Sequence, residues 1–398
     1  MKKLYIHAGF GKCGSSSIQA FLSRYEKFKC ENGNDMVYAA LTNDRRVLYG
    51  KELTQLAGQN HSGSITSIPF PLMKPSPEEY FNAVGNQLIG LLEKNHVVLS
   101  QESWSNKKAE WDGISFFQNN KLDVEFIIYI RPPVTRVNSS WWQWGAWANQ
   151  ELDDWVAQSV NAVKYEKKIR QLNGLSWVNG VHVRLLDNNL LDDFSSVIRL
   201  DKQVHQALHA MANKSLPNGI LRLFQTHKRL RPSPHASAID FILEKHLKLE
   251  GEADWVLDPA HIKTIIEETR DSNLALLDFI GEDCKGKFIA DQRYWDAAAF
   301  DDKVAQPTGG IKPSYEELEG IALAGIDAVM DLATQQMAKS PAAPSFNQFD
   351  IWRDLALHVE KTDIGLAYRL LQQADKLCPG TPPIQKKLAQ YKTALDAM

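Results

Sequence analysis

The sequence predicts an α/β fold, a mainly parallel β-sheet flanked by helices, with a C-terminal all-helical extension. In the first 300 of its 398 residues, short apolar segments alternate with segments of helical periodicity. This alternation is typical of a parallel sheet covered by helices. After Asp302 the strand-like segments stop and helical spacing remains. Ligands of such sheets bind beyond the carboxyl ends of the strands, so the residues that follow each strand are the first candidates for a site.

Five apolar segments are predicted strands: Leu4–Ile6, Met36–Tyr38, Val97–Leu99, Phe126–Ile130 and Val181–Leu185. Helix-start signals lie between them. Ser76 is placed to cap a helix over Glu78–Glu93, and Pro132-Pro133 opens a Trp-rich helix, where the missing proline N–H needs no partner. The stretch His61–Pro77 is rich in Ser, Gly and Pro and is predicted to be a long surface loop.

Length and charge limit the possible functions. A chain of 398 residues exceeds what one compact core usually serves, so we expect two domains. The 45 basic and 48 acidic residues leave a net charge of −3, which argues against a general nucleic-acid binder, because such a protein needs a basic surface. Binding of one small anion remains compatible with this net charge, because a helix N-terminus and a few basic side chains are enough to bind it locally.

The four cysteines are scattered without a C-x-x-C pair: Cys13, Cys30, Cys284 and Cys378. We therefore expect reduced thiols, with no zinc site and no disulfide framework. Met1-Lys2-Lys3 leads directly into a short strand, unlike a signal peptide, and no apolar run is long enough to span a bilayer. The expected location is cytoplasmic, without a transmembrane segment.

A glycine-rich loop follows the first predicted strand. Residues 9–17 read Gly-Phe-Gly-Lys-Cys-Gly-Ser-Ser-Ser and lead into a helix. Glycines let backbone N–H groups turn toward a phosphate, and the helix start adds partial positive charge. Lys12 adds a full charge. In a nucleotide triphosphatase loop, lysine stands directly before the Ser/Thr that holds magnesium, whereas here Lys12 precedes Gly14.

A second anion-binding element is predicted after the strand Phe126–Ile130. Arg131 follows that strand directly, Pro132 comes next, and Ser139 stands eight positions after the arginine. Arginine grips a phosphate through two parallel N–H bonds, and a serine one or two helical turns later can donate from the same side.

These two elements resemble those of sulfotransferases. Residues 6–19 are similar to the 5′-phosphosulfate loop of that family, usually Pro-Lys-Thr-Gly-Thr-Thr/Ser, and residues 127–139 to its 3′-phosphate segment. The matching positions are Lys12, Gly14, Ser15, Ser16, Ser17, Arg131 and Ser139. Gly11 stands where proline is usual and Cys13 where threonine is usual. Pro132 replaces a common Asp or Asn.

The resemblance implies a P-loop-like sulfotransferase domain of the bacterial carbohydrate type, over about residues 1–300. The implied sulfuryl donor is 3′-phosphoadenylyl sulfate, with no metal, and the implied acceptor is a small-molecule, carbohydrate or lipid-linked hydroxyl or amine. The implied donor-binding residues are Gly11, Lys12, Cys13, Gly14, Ser15, Ser16, Ser17, Arg131 and Ser139. Weaker similarity extends to Asn213–Pro217, Asp193-Phe194 and Asp291–Trp295.

Sulfuryl transfer proceeds in line through a loose transition state, much like phosphoryl transfer. Lys12 is the predicted group that stabilises charge on the leaving oxygen. The base varies in position within the family, and we predict Glu102 because it lies just past the carboxyl end of a strand. A capping or structural carboxylate is the alternative interpretation of Glu102. His7 is predicted to be a satisfied core histidine, and His61 a loop residue able to close over the acceptor.

Tryptophans cluster in two places. Trp141, Trp144 and Trp147 stand three apart along the predicted helix, and Trp104 and Trp111 follow the predicted base. Aromatic faces suit sugar rings or cationic head groups. The alternative is that these indoles belong to the core.

The predicted domains are residues 1–300, a helix and linker over 301–347, and a helical extension over 348–398. Helices are expected at Ser314–Ala338 and, in three segments, over Phe349–Met398, with a linker at Lys339–Asn347 between them. The last part is similar to one tetratricopeptide-type pair plus a helix, with Ala367, Leu370, Leu371 and Ala374 at helical spacing. Such a unit cannot bury its own faces, so we expect it to pack on the main domain, on a protein partner or on a second copy.

The sequence leaves two other functions open. One is a P-loop kinase or nucleotide hydrolase with a degenerate loop, which would depend on magnesium and a nucleoside triphosphate. The other is a non-catalytic scaffold that binds partners through the C-terminal helices.

Overall fold

The computed structural model describes residues 2–60, 62–148, 150–201, 216–234, 238–247, 253–338 and 348–397. Among the predicted features, His61, residues 213–215 and the linker 339–347 lie outside the described residues. The strands are β1 Lys3–His7, β2 Phe28–Lys29, β3 Asp35–Leu41, β4 Val47–Tyr49, β5 His96–Ser100, β6 Asp123–Ile130 and β7 Val178–Leu185.

The first thirteen helices are α1 Ser15–Leu22, α2 Gly50–Gln59, α3 Pro77–Lys94, α4 Lys108–Asp112, α5 Phe116–Asn119, α6 Pro133–Gln143, α7 Leu152–Val163, α8 Tyr165–Asn173, α9 Leu190–Val197, α10 Asn218–Thr226, α11 Ala238–Leu247, α12 Pro259–Leu276 and α13 Glu282–Ala290. The last four are α14 Tyr315–Ala338, α15 Gln348–Val359, α16 Ile364–Leu377 and α17 Pro382–Asp396. Short 3₁₀ turns occur at Phe70–Leu72, Glu102–Asn106, Gly145–Trp147, Gln292–Tyr294 and Ala297–Phe300.

The sheet is mainly parallel. Its parallel strands follow the order β3-β5-β1-β6-β7, and the short strands β2 and β4 pair antiparallel with β3. Helices flank the sheet in sequence, and the C-terminal region that the structure describes is helical. The predicted α/β class with a helical C-terminal extension is confirmed.

Strand β1 lies at the centre of the parallel strands. Its Ile6 is opposite Leu99 of β5 and Phe126 of β6, and all three side chains are fully buried. Because β5 and β6 both run parallel to β1, the three carboxyl ends meet at one edge of the sheet. The strands that follow β1 in the chain are added first on one side of it, as β3 and β5, and then on the other side, as β6 and β7. Ligands of open α/β sheets bind at the point where this change of side occurs.

Local signals in the sequence locate most elements. The five predicted strands are present, and each is longer than the predicted segment because residues at its ends also pair. The Ser76 hydroxyl accepts a hydrogen bond from the Glu79 N–H at 3.2 Å, so the predicted cap of α3 is confirmed. Pro133 is the first residue of α6, as expected for a proline at a helix start.

The predicted surface loop before Pro77 is partly buried. Phe70 and Met73 are 3% and 1% exposed, and the Phe70 ring lies 4.7 Å from that of Trp111 and 5.7 Å from that of Trp104. Both tryptophans are fully buried, so the core interpretation is correct for them. Composition indicated the irregular backbone but not this burial, which depends on the aromatic residues the loop meets.

The chain divides into two compact units, Met1–Leu318 and Glu319–Met398, with the division inside α14. The three-part division at residues 300 and 347 stays a prediction. The second unit has its own apolar core, which includes Met330 and Trp352. The four residues expected at helical spacing in α16 are all buried there: Ala367, Leu370, Leu371 and Ala374.

In the part of the chain that the structure describes, none of the helices is long and apolar enough to cross a membrane. The same residues contain no group of three or more His, Cys, Asp or Glu suited to a metal ion. The expected location and the expected independence from metal stay predictions.

We predict that Trp111→Ala lowers the free energy of unfolding by about 3–5 kcal/mol, the usual cost of truncating a buried aromatic residue. The Trp111 ring packs against those of Phe126 at 5.4 Å and Trp177 at 5.6 Å. Urea unfolding measures the change. Leu72→Ala is the control, because Leu72 is 49% exposed and its truncation is expected to cost only about 0.5 kcal/mol. Equal losses in the two variants would contradict the core position of Trp111.

Candidate active site

The loop between β1 and α1 runs along the carboxyl edge of the sheet. Gly14 has a φ of 85°, in the left-handed region that favours glycine, and it precedes α1 directly. No side chain caps α1, and its first turn contains no acidic residue. Ser17 and Ile18 in that turn donate their N–H groups to the Gly14 carbonyl, and the start of the turn before them, with the positive end of the helix, is available to an anion.

Lys12 has an unusual backbone conformation. Its φ is 64°, a left-handed value that costs an ordinary residue roughly 1–2 kcal/mol. Burial of the ammonium group, with the charge of Arg131, lowers the pKa of Lys12, whereas Glu102 and Asp240 act in the opposite direction. Positive and negative side chains from three other parts of the chain therefore act on one lysine.

Glu102 directly follows β5, in a 3₁₀ turn that Gln101 caps by accepting the Ser103 N–H at 3.1 Å. Ser105 in the same turn donates to the Gly9 carbonyl at 2.8 Å, which joins this turn to the loop. Burial raises the pKa of Glu102, while the charge and the backbone N–H of Lys12 partly oppose the rise. A half-buried carboxylate with a raised pKa beside a lysine has the properties of a general base.

Two arginines after β6 contact the loop. Arg131 donates from Nε to Thr135 Oγ1 at 3.2 Å, and its Nη1 lies 3.5 Å from the Lys12 carbonyl oxygen. Burial lowers the pKa of Arg131. Arg136 is 7% exposed and donates from Nε to the Gly11 carbonyl at 2.8 Å. These contacts hold the loop backbone and place two positive charges next to it.

The three loop serines have different environments. Ser15 is 4% exposed, and its hydroxyl has no hydrogen-bond partner among the described residues. A buried polar group without a partner is rare and indicates a place for a ligand or water. The absence of a side chain at Gly9 leaves room for this hydroxyl, since a Cβ there would collide with it. Ser16 is exposed and Ser17 is half-buried.

Cys13 and Ser139 are placed differently from the other predicted donor-binding residues. The Cys13 N–H donates to the Phe10 carbonyl at 3.1 Å, and burial raises the pKa of its thiol, which packs beside Tyr165. Ser139 is half-buried within α6. Among the described residues, none of the hydrogen bonds of Arg131 goes to Ser139. Cys13 nevertheless lies near Arg131, since each affects the pKa of the other.

His7 is fully buried at the end of β1. Its Nδ1 lies 2.8 Å from Ser100 Oγ, but Nε2 has no partner among the described residues. Burial lowers the pKa of His7 from 6.5 to about 3. The core position is as predicted, but only one of the two ring nitrogens has a hydrogen-bond partner among the described residues.

The expectation that Trp141, Trp144 and Trp147 all lie along one helix is wrong. Helix α6 ends at Gln143, so Trp144 and Trp147 lie beyond it and their spacing of three does not place them on a face of α6. Trp141 is 3% exposed and belongs to an apolar cluster, whereas Trp144 and Trp147 are half-buried. The core interpretation holds for Trp141, and Trp147 packs against the same cluster, whereas Trp144 does not belong to it.

Sequence reasoning missed the ion pair between Arg231 and Asp240, whose Nη1 and Oδ2 lie 2.7 Å apart. Arg231 also donates to the Gln143 carbonyl at the end of α6, at 2.9 Å. Both charges act on the pKa of Lys12, and burial raises the pKa of Asp240. No motif marks this pair, because it reaches the loop from a segment far along the chain.

No protein-family model matches the chain, and no curated protein matches it. A solved structure of a sulfotransferase from Alicyclobacillus acidocaldarius is similar at 11% sequence identity, over 70% of this chain and 96% of that one, with a TM-score of 0.33. A likeness at this level establishes neither a family nor a function.

We predict that His7 makes folding stability depend on pH. Between pH 6.5 and about 3 the unfolded chain binds a proton that the buried ring does not, so stability falls as the pH falls, by up to about 1.4 kcal/mol per pH unit. In His7→Asn this contribution disappears and the decline is shallower, which urea unfolding at several pH values measures. The exposed His227→Asn is the control. Equal slopes in wild type and His7→Asn would contradict the prediction.

Proposed function

We propose that the chain is a sulfotransferase that moves a sulfuryl group from 3′-phosphoadenylyl sulfate to an acceptor hydroxyl or amine. The observation that carries the proposal is the convergence of Lys12, Glu102 and Arg131 on one loop. Lys12 and Glu102 act on each other's pKa, and Arg131 lies against the Lys12 carbonyl. Lys12 and Arg131 are also the charged residues at which the sequence resembles sulfotransferases.

The chemistry of the loop fits the anionic groups of this donor. The 5′-phosphosulfate would be held by the uncapped start of α1, by Lys12 and by the hydroxyl of Ser15, which has no partner among the described residues. Arg131 would hold the 3′-phosphate, and Ser139 is proposed to assist from α6.

When bound, 3′-phosphoadenylyl sulfate supplies an activated sulfuryl group. Glu102 accepts the proton of the acceptor while the acceptor oxygen or nitrogen bonds to sulfur. Lys12 and the loop N–H groups stabilise the negative charge on the phosphate oxygen as its bond to sulfur breaks. The raised pKa of Glu102 suits this role, because it brings the carboxylate closer to the pH at which proton transfer is required.

A carbohydrate or lipid-linked acceptor is part of the proposal. Support comes from the half-buried indole of Trp144 beside the loop, because aromatic faces suit sugar rings.

We predict that 3′,5′-adenosine diphosphate binds without magnesium, and more tightly than ATP, in isothermal titration. Arg131→Ala is expected to weaken this binding by about 2–3 kcal/mol, because it removes a charge-assisted contact to the 3′-phosphate. The exposed Arg24→Ala is the matched control and should bind as the wild type does. Tighter, magnesium-dependent binding of ATP would reject the proposal in favour of a kinase or nucleotide hydrolase.

We predict that Glu102→Gln lowers turnover about 10²–10⁴-fold, the usual worth of a positioned base, and leaves nucleotide affinity unchanged. In the wild type the rate should fall as the pH drops through the pKa of Glu102, because the protonated carboxyl accepts no proton, and the variant should lack this decline. Asp240→Asn is the comparison, since burial raises the pKa of this carboxylate too. A larger loss of turnover in Asp240→Asn would assign the base to Asp240 instead.

A further inference from the structure

The peptide group between Gly11 and Lys12 has a charged residue at each of its two ends. Its oxygen, the Gly11 carbonyl, accepts a hydrogen bond from Nε of Arg136 at 2.8 Å. Burial raises the pKa of Glu102, and the N–H of this same peptide group, that of Lys12, opposes the rise by donating to the carboxylate. The oxygen and the hydrogen of a trans peptide lie on opposite sides of its C–N bond. Arg136 and Glu102 therefore lie on opposite sides of one peptide group.

Glu102 lies along the loop, in contact with its backbone. A Cβ built at Gly9 would be 3.5 Å from Cα of Glu102, and a Cβ built at Gly11 would be 3.2 Å from Oε1 of the same residue. Ser105, in the 3₁₀ turn that begins with Glu102, donates to the Gly9 carbonyl at 2.8 Å. The main chain and the carboxylate of Glu102 thus follow the loop from Gly9 to Gly11. The position of the carboxylate therefore depends on the conformation of the loop backbone.

Arg136 reaches the loop from α6 as a buried cation. Its side chain is 7% exposed, and its guanidinium lies 5.6 Å from the centroid of the Tyr165 ring. Lys168 of α8 is a second cation beside it, because burial and the charge of Arg136 lower the pKa of Lys168 to about 8. A buried charge is costly unless an opposite charge compensates it. Glu102, on whose pKa Lys12 and Arg136 both act, supplies that opposite charge across the peptide group.

The dipole of the peptide group links these two charges. A peptide group carries a dipole of about 3.5 D, with its negative end at the oxygen. Here the negative end faces the guanidinium of Arg136 and the positive end faces the carboxylate of Glu102, so each charge strengthens the hydrogen bond made by the other. Lys12 has a left-handed φ of 64°, a conformation that persists only where its surroundings determine it. A peptide group turned over at this point would lose its contacts at both ends.

We propose that Arg136 is a positioning residue that holds the Glu102 carboxylate through the peptide group between Gly11 and Lys12. This inference rests on the proposed function, in which Glu102 is the base. The guanidinium orients the peptide group, and the peptide N–H orients the carboxylate and favours its ionised form, which accepts the proton. The same peptide group carries Lys12, so one arginine fixes the base relative to the residue that stabilises the leaving oxygen. Arg136 acts through the peptide group and not by contact with either substrate.

The link between the peptide group and the carboxylate is tested in the wild-type protein, by NMR titration with pH and without any nucleotide. The protein carries ¹⁵N-labelled lysine and glutamate labelled with ¹³C at the side-chain carboxyl. The signals of the Lys12 amide and the Glu102 carboxyl are identified by their loss in Lys12→Arg and Glu102→Gln. We expect the Lys12 amide to titrate with the same midpoint as the Glu102 carboxyl, and to lose this titration in Glu102→Gln. An amide signal that does not follow the carboxyl overturns the link.

The role of Arg136 is tested by the same titration in variants. Arg136→Gln should move the midpoint of the Glu102 titration upward by about one pH unit, because the ionised carboxylate loses an opposite charge. Arg136→Lys keeps the charge and should move the midpoint less than half as far. Arg131→Gln is the matched control, since Arg131 contacts the next carbonyl of the loop, that of Lys12, and it should leave the midpoint in place. An unchanged midpoint in Arg136→Gln, or an equal rise in Arg131→Gln, overturns the role of Arg136.

Nucleotide binding separates this role from contact with the donor and from the proposed function. Arg136→Lys should bind 3′,5′-adenosine diphosphate within about threefold of the wild type, whereas Arg131→Gln should lose about tenfold or more in affinity. An equal loss in the two variants would make Arg136 a donor-binding residue and overturn its role as a positioning residue. A wild type that shows the linked titration but binds no 3′,5′-adenosine diphosphate keeps the link between Arg136 and Glu102 and rejects the proposed function.

Discussion

The parallel pairing of β1 with both β5 and β6 is the constraint on which the rest of the site depends. It places the carboxyl ends of three strands side by side, although β5 and β6 are far from β1 in the chain. Lys12 follows the first strand, Glu102 the second and Arg131 the third. Parallel strands with buried neighbours tolerate no slip in register. The sheet therefore determines that the three chain segments that carry these charged residues meet at one edge.

The loop itself is held from outside. Arg136 and Ser105 bind the carbonyls of Gly11 and Gly9 from two different elements. These contacts offset the left-handed backbone of Lys12, a conformation that persists only where the surroundings determine it. A loop fixed in this way before a ligand arrives loses little conformational entropy on binding. The buried arginine charges next to it favour an anion over a neutral ligand.

The departures from the sulfotransferase loop pattern each have a neighbour that explains them. Gly11, where proline is usual, faces the tip of Trp144. Cys13, where threonine is usual, packs beside Tyr165, whose hydroxyl donates to the Arg131 carbonyl at 2.9 Å. The departures thus belong to packing between the loop and the segment after β6. They leave unchanged the charged residues on which the proposed chemistry depends.

The sequence by itself determined the α/β class, the central strands, the glycine-rich loop and the charged residues at strand ends. Hydrophobic periodicity, helix caps and turn glycines are local, so one sequence is enough to read them. Only the tertiary structure decided that Arg136 holds the loop, that Arg231 and Asp240 reach it, and that Trp144 leaves the core while Trp141 stays in it. Those facts depend on which distant segments meet in space and on where α6 ends. A single sequence does not reveal such contacts, because the separation of two residues along the chain does not give the distance between them in the folded protein.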